Sequence, residues 1–355
     1  MAQKRFAFVI KDLYGGGAEK SLLYTADQLR QRGHAVVVFT LRERIEHRIP
    51  EGLEIINLGV INPLNKALTT VLTEKWQARR IAKALAEWQP DVTISCACDR
   101  ITRHLSDPNL YFWVKSDISQ KFSDLRKLQR AYDKAHRFYD GRKVIAVSHG
   151  VKETLENVVG LQAETIIPIY NPYEREPFLA LAAEPAELPE SDYFICLAAI
   201  EPRKRHDRLL RTYQRSGVST PLIILGKGKA EHEASVKAQI RELGLEDRVT
   251  MAGYHTNPYP WIANAKAVIL TSDAEGLPRV LIEALMLHVP VISTDCPSGP
   301  REILTGELSD FLVAQEDEAG LAEAIARMDR EPVAVDERYY QKFLTENVIP
   351  QFEAL

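Results

Sequence analysis

The chain has 355 residues and a mass of 40.1 kDa, enough for two medium-sized domains with a core each. Hydrophobic residues make up 45% and charged residues 26%, ordinary globular usage, and no apolar run reaches the roughly eighteen residues of a membrane-spanning helix. The net charge of −4 hides an asymmetry, a surplus of Lys and Arg in residues 1–170 and of Asp and Glu in the remainder, and no nucleic-acid reader motif accompanies the basic half.

Met1 to Lys11 is a short basic stretch without a signal peptide's apolar core. Phe6 to Ile10 reads as a buried strand. It runs into Asp12-Leu13-Tyr14-Gly15-Gly16-Gly17-Ala18-Glu19-Lys20 and a helix from Ala18 to Gln31. Glycines between a strand and a helix permit positive φ and let backbone N–H groups approach an anion. The spacing is neither Gly-x-Gly-x-x-Gly nor a P-loop, and a ligand-free tight turn is the other reading. Further strands lie at Ala35–Leu41, Glu54–Leu58, Val92–Ser95, Lys143–Val147 and Ile166–Tyr170, with helices at Trp76–Trp88 and near Val151–Asn157. The stretch from Lys121 to Lys143 is dense in Lys and Arg. It suits an anionic membrane surface or a phosphorylated acceptor, or else a solvated helix with interleaved acids.

Asn171 opens an irregular segment, and Glu184–Asp192, rich in Pro, Ala and Glu, reads as an exposed connection. The strand–helix alternation then restarts with strands at Tyr193–Ala199, Pro221–Leu225, Val249–Met251, Ala267–Leu270 and Pro290–Thr294, and helices near Asp207–Gln214 and at Glu231–Leu243. Asp336–Leu355 reads as helical apart from Pro350. Such alternation implies parallel sheets with right-handed crossovers. The fold class is therefore α/β, two doubly wound Rossmann-like domains spanning 1–170 and 171–335, with a tail at 336–355. Cys96, Cys98, Cys196 and Cys296 form no Cys-x-x-Cys pair and read as buried free thiols of a reducing compartment, so a cytoplasmic protein is expected.

The most telling stretch is Glu275-Gly276-Leu277-Pro278-Arg279-Val280-Leu281-Ile282-Glu283. Proline suits a first helical turn, so the segment opens a helix at the carboxyl edge of the strand at Ala267–Leu270, where open α/β sheets bind anionic ligands. A carboxylate there repels phosphate, so Glu275 is expected to face sugar hydroxyls, and Glu283, about two turns on, to reach a ribose. The alternative is an ion pair between Glu283 and Arg279 on a solvated face. The pattern asks for a nucleotide sugar.

Two glutamates separated by seven residues, after Val-Ile-Leu-Thr-Ser-Asp-Ala and before Ala-Leu-Met-Leu-His-Val-Pro, resemble the signature of retaining glycosyltransferases of family four, which have the GT-B fold of two Rossmann-like domains facing a cleft. The resemblance covers nearly the whole chain. It implies an acceptor-binding first domain, a donor-binding second domain and a tail crossing back to the first. It puts Gly16 and Gly17 near donor diphosphate and acceptor, with backbone amides of Gly16, Gly17, Gly276 and Leu277 as donors. In Ala198–Asp207 it puts Lys204 on the lysine that clamps the diphosphate. The partner arginine position holds Ala199, a departure from the family, and Arg203 and Arg205 are the candidates to supply that charge. In Phe112-Trp113-Val114-Lys115-Ser116-Asp117, Lys115 stands where the family has a histidine that contacts the donor sugar. Tyr254 of Gly253-Tyr254-His255 is placed beside the nucleobase, and Asp295–Ile303 resembles the donor-side loop. Arg100 and Arg103 are candidates to face the acceptor.

The function implied is a metal-independent retaining transfer from a nucleotide-diphosphate sugar, UDP-sugar by default, to a hydroxyl of a glycolipid or oligosaccharide in surface-glycan or lipopolysaccharide assembly. No further cofactor and no nucleic acid are expected, and peripheral contact with the inner face of an anionic membrane stays open. The alternatives are an epimerase using His149, His206, His255 or His288, and a non-catalytic binding subunit, suggested by Ala199 and Lys115.

Overall fold

The apolar runs of the first half become seven parallel strands, because crossover helices cover both faces of such a sheet and select near-continuous hydrophobic strands. In the computed structural model, which describes residues 2–62, 70–119 and 124–355, these are β1 (Arg5–Ile10), β2 (Ala35–Thr40), β3 (Glu54–Asn57), β4 (Val92–Cys96), β5 (Leu110–Val114), β6 (Lys143–Ala146) and β7 (Thr165–Pro168), in the order β3-β2-β1-β4-β5-β6-β7. Helices α1 (Gly17–Gln31), α2 (Val71–Trp88), α3 (Asp99–Thr102), α4 (Leu125–Tyr139) and α5 (His149–Glu153) connect them. The last continues as a π-helical turn, Thr154–Val158. Helix α2 begins five residues before the expected start, at a capping box of Thr70 and Thr73. Asp124 caps α4 by accepting from the N–H groups of Arg126 and Lys127. Of the basic run, Lys121 lies outside the described residues.

The second half builds a separate parallel sheet from β8 (Phe194–Leu197), β9 (Leu222–Leu225), β10 (Val249–Gly253), β11 (Ala267–Leu270), β12 (Val291–Thr294) and β13 (Leu312–Val313), in the order β10-β9-β8-β11-β12-β13. Its helices are α6 (Glu176–Ala182), α7 (His206–Ser216), α8 (Ala230–Glu242), α9 (Tyr259–Ala263), α10 (Arg279–Met286), α11 (Pro300–Ile303) and α12 (Glu318–Arg330). Helix α6 lies in the segment expected to be irregular, started by a proline in its first turn.

The chain divides into two compact units, Met1–Pro172 with Thr345–Leu355, and Tyr173–Leu344. The tail is not helical throughout. Glu337–Tyr339 and Gln341–Phe343 are single 3-10 turns of the second unit. The helix proper, α13 (Thr345–Glu353), carries Pro350 inside it and belongs to the first unit. There Val348, Ile349 and Phe352 are fully buried, and Phe352 meets the Trp113 ring edge-on at 5.1 Å. Glu353 fixes the helix end, accepting from Arg32 Nε at 2.7 Å and bonding His34 Nε2 at 3.0 Å.

Each sheet has one place where successive strands are added in opposite directions, between β1 and β4 in the first unit and between β8 and β11 in the second. A crevice at the carboxyl ends of the strands forms at such switch points, and both candidate sites lie there.

Candidate active site

In the second unit the loops leaving β8 and β11 are tied together. Beyond β8 the chain makes a 3-10 turn, Pro202–Lys204, then enters α7 through Arg205 in the left-handed region at φ 52°. Thr271 Oγ1 donates to the carbonyls of Lys204 and Arg205, each at 3.1 Å, and the Asp273 N–H donates to the Arg203 carbonyl at 2.9 Å. This framework holds Lys204 Nζ 2.5 Å from Glu275 Oε1, with both side chains largely buried. Arg203 donates to the Ala274 carbonyl at 2.6 Å and to Glu201 at 2.7 Å, and its guanidinium lies 3.6 Å from Glu275 Oε2. Arg205 turns instead to Asp207 and Asp273. Of the two arginines expected to stand in for the missing cation, Arg203 is therefore the one beside Lys204 and Glu275. Ala199 is exposed on the same edge.

Burial works against ionisation of Asp207, yet hydrogen bonds from Arg205 and Arg211 outweigh it and hold the carboxyl down at about 2. His206 is buried with no hydrogen-bond partner for its Nε2. Burial, reinforced by the Lys204 charge, lowers its imidazole to about 4.

The Gly276-Leu277-Pro278 turn is braced by the loop after β12. Gly299 sits at φ +56°, and a Cβ there would lie 2.4 Å from Pro278 Cδ and 3.0 Å from the Gly276 carbonyl oxygen. Only glycine allows that approach. Leu277 is buried, and Glu283, further along α10, is also buried and accepts from Arg279 at 3.1 Å. The Glu283–Arg279 pair is thus formed, but as a buried pair rather than on a solvated face. On the other side of β8, Tyr254 projects its ring into solvent with Lys227 Nζ 4.5 Å above it. Lys227 lies between Gly226 and Gly228, whose backbones pack on the Ala198 and Ile200 carbonyls so closely that a Cβ would overlap them. Sequence reasoning misses this Gly-Lys-Gly, although its place directly after the apolar β9 run is a usable signal.

Gly16, Gly17 and Lys115 belong to the first unit. Gly16 caps α1 and Gly17 is its first residue, while Gly15 takes the positive φ of 126°. Lys115, just beyond β5, donates to Ser21 Oγ at 2.9 Å and Asn171 Oδ1 at 2.8 Å and lies over the Trp113 ring. Asp117 is buried and structural, accepting from Thr154 Oγ1 at 2.6 Å and from Ser119. Arg103 is committed to Glu74 at 2.9 Å, and Arg100 reaches the same carboxylate at 3.2 Å while also lining a cavity with Lys115. All four cysteines are buried free thiols, and burial raises each of them. Among the described residues no group of three or more His, Cys, Asp or Glu side chains could hold a metal ion, and no helix is long and apolar enough to cross a membrane.

Comparison with known proteins bears on the fold and the family. Residues 15–176 match the family model described as Glycosyltransferase Family 4, and residues 181–342 match that of Glycosyl transferases group 1. The chain is 28% identical over 256 residues to an uncharacterized glycosyltransferase of Methanocaldococcus jannaschii, a stretch covering 65% of this chain and 62% of that one. It is 29% identical over 285 residues to the lipopolysaccharide 1,6-galactosyltransferase of Escherichia coli K12, covering 74% and 75%. The solved structure of the Anabaena protein HepE in complex with UDP shares the fold, with a TM-score of 0.74 over 99% of this chain and 98% of that one at 20% identity. With both halves matched in order on two parallel α/β units, the chain belongs to the GT-B glycosyltransferases of family four.

Proposed function

We propose that the protein is a retaining, metal-independent glycosyltransferase that moves a sugar from a UDP-sugar to a hydroxyl of a glycolipid or oligosaccharide in surface-glycan assembly. The observation that carries this reading is the Lys204–Glu275 contact at the β8/β11 switch point. It puts a cation suited to a diphosphate beside a carboxylate suited to sugar hydroxyls. The name of the Escherichia coli relative supports the glycan context, and the UDP in the HepE complex supports the base.

In this reading Lys204 and Arg203 neutralise the departing diphosphate, Glu275 accepts from hydroxyls of the donor sugar, and Glu283, steadied by Arg279, accepts from the ribose. The bond from the anomeric carbon to the diphosphate oxygen breaks as that carbon bonds the acceptor oxygen on the same face. The acceptor proton passes to the leaving diphosphate, so the protein chiefly orients the reactants and balances charge. An epimerase gains no support from His206, His255 or His288, since His255 and His288 bond backbone carbonyls and His206 is buried without an Nε2 partner.

Calorimetric titration with UDP, GDP and other nucleotide diphosphates tests the donor assignment. UDP is expected to bind, and Glu283→Ala to lose most of that affinity. Proton NMR of the transfer product then reads the anomeric configuration. Selective GDP binding, or an inverted product, would defeat the reading.

A further inference from the structure

Beyond β11 come four successive backbone carbonyls, those of Thr271, Ser272, Asp273 and Ala274, and each accepts from a side chain on a different element. Arg208 Nη1 of α7 donates to the Thr271 carbonyl at 3.0 Å, and Thr294 Oγ1, at the end of β12, to that of Ser272 at 2.9 Å. Gln315 Nε2, between β13 and α12, donates to the Asp273 carbonyl at 2.8 Å, and Arg203 Nη1 to that of Ala274 at 2.6 Å. Glu275 is the next residue. Thr271 and Ser272 are buried, where a carbonyl needs a partner. Past the end of the strand these side chains supply it, and they fix the path of the chain one peptide at a time.

Arg208 differs from the other three in being a charge inside the core, only 1% exposed. A buried guanidinium carries a desolvation cost that ion pairing often only balances, and an apolar side chain of like volume commonly fills a core as well. Packing alone therefore gives no reason for a cation at this place on α7. Its contacts do. Besides the Thr271 carbonyl, Nη1 lies 3.0 Å from Asp273 Oδ1, to which Arg205 also donates at 3.0 Å. Glu316 lies 3.7 Å from Nη2 but is 94% exposed, so its pull is screened by solvent. One guanidinium thus grips the stretch at two points, a carbonyl and, two residues on, a carboxylate. Thr271 in turn donates its hydroxyl to the carbonyls of Lys204 and Arg205, so the same grip extends to the turn that carries Lys204.

We infer that Arg208 is a positioning residue for sugar transfer. From the core it sets the path of residues 271–274, and so the place at which Glu275 meets the donor sugar. The inference rests on the glycosyl-transfer reading for the task of Glu275, while the hold on the loop stands on these contacts alone.

Hydrogen exchange on the full chain, parent against Arg208→Met, reads the hold. Residues 272–277 are expected to exchange about tenfold faster in the variant, with β8, β9 and β11 as in the parent. Release of UDP from UDP-glucose and UDP-galactose reads the consequence. The kcat is expected to fall about tenfold or more, with the donor KM and UDP affinity changed about threefold at most. Asp273→Asn breaks the same ion pair from its partly exposed end, and it carries the test in the same direction where Arg208→Met does not fold. Unchanged exchange at 272–277 would overturn the inference. So would faster exchange spread over all the strands with a lower melting temperature, or a loosened loop with kcat kept. A parent that neither binds UDP nor releases it, beside a loop that loosens in Arg208→Met, would count against the transfer reading alone and leave the hold on the loop supported.

Discussion

In the proposed reading Glu275 and a donor diphosphate compete for one ammonium group, so removing the Glu275 charge should tighten UDP. The contact is 2.5 Å long and its side chains are 15% and 10% exposed, so it belongs to the stronger class of charged hydrogen bonds, about 1.5–3 kcal/mol net. Glu275→Gln retains an acceptor oxygen and removes the charge, which frees Lys204 and, 3.6 Å away, Arg203. If roughly half of the bond energy is recovered when the diphosphate arrives, UDP affinity rises about three- to tenfold, since about 1.4 kcal/mol corresponds to tenfold. Lys204→Ala should weaken UDP about a hundredfold. In the Lys204→Ala background the gain from Glu275→Gln should shrink, because the closer of the two cations it frees is gone and only Arg203, 3.6 Å away, remains. Transfer should nevertheless fall in Glu275→Gln, as the sugar hydroxyls lose a charged acceptor. Calorimetry on the four proteins of this cycle reads the affinities, and a radiolabelled-sugar transfer assay reads turnover. Weaker UDP binding by Glu275→Gln, or the same gain with and without Lys204, would refute the competition.

Other consequences concern stability. Gly299→Ala places a Cβ 2.4 Å from Pro278 Cδ at φ +56° and should cost about 3 kcal/mol, seen as a lower melting temperature together with weaker UDP binding. His206 is held near 4 against an ordinary 6.5, so the unfolded chain binds its proton first and stability falls with pH through the window from 6.5 down to 4. The loss is about 1.4 kcal/mol per pH unit. Urea unfolding of the protein and of His206→Gln at pH 7.5 and 5 should show the variant less pH-sensitive by about 2 kcal/mol, and parallel slopes would contradict the assignment. Glu353→Ala removes the acceptor of Arg32 and His34 and should destabilise the first unit by about 2 kcal/mol, read as earlier exposure of Trp113 in fluorescence-monitored unfolding.

The strands legible in the sequence are those whose burial leaves a continuous apolar run. Phe6–Ile10, Ala35–Leu41 and Ala267–Leu270 all became parallel strands because helices cover both faces of the sheet. Strand β13 has two residues, too few to show any period. Helix α4 shows only Ala135, Phe138 and Tyr139 buried among its charges, so its sequence announces charge before structure. At the site, the turn that opens a helix after the Ala267–Leu270 strand points to Glu275 and Glu283, and the resemblance to family four points to Lys204. Pairing between loops was not legible. Lys204 and Glu275 are 71 residues apart, and only the β8/β11 adjacency brings them together. Likewise no local pattern separates Arg203, turned towards Glu275, from Arg205, turned towards Asp207 and Asp273.

The two carboxyl edges handle positive charge in opposite ways. In the second unit Arg203 meets Glu201, Lys204 meets Glu275, and Arg205 meets Asp207 and Asp273, so the basic loop is nearly neutral as folded. In the proposed reading a diphosphate that binds there rearranges these ion pairs, which makes the fit of the sugar to Glu275 part of the same event and favours the complete donor over stray anions. In the first unit Lys127, Arg130 and Lys134 of α4 form no ion pair within 4.0 Å among the described residues. A neutralised edge suits selection of one donor from a pool of similar nucleotides. The surplus of cations in residues 1–170 has part of its structural counterpart in that face of α4.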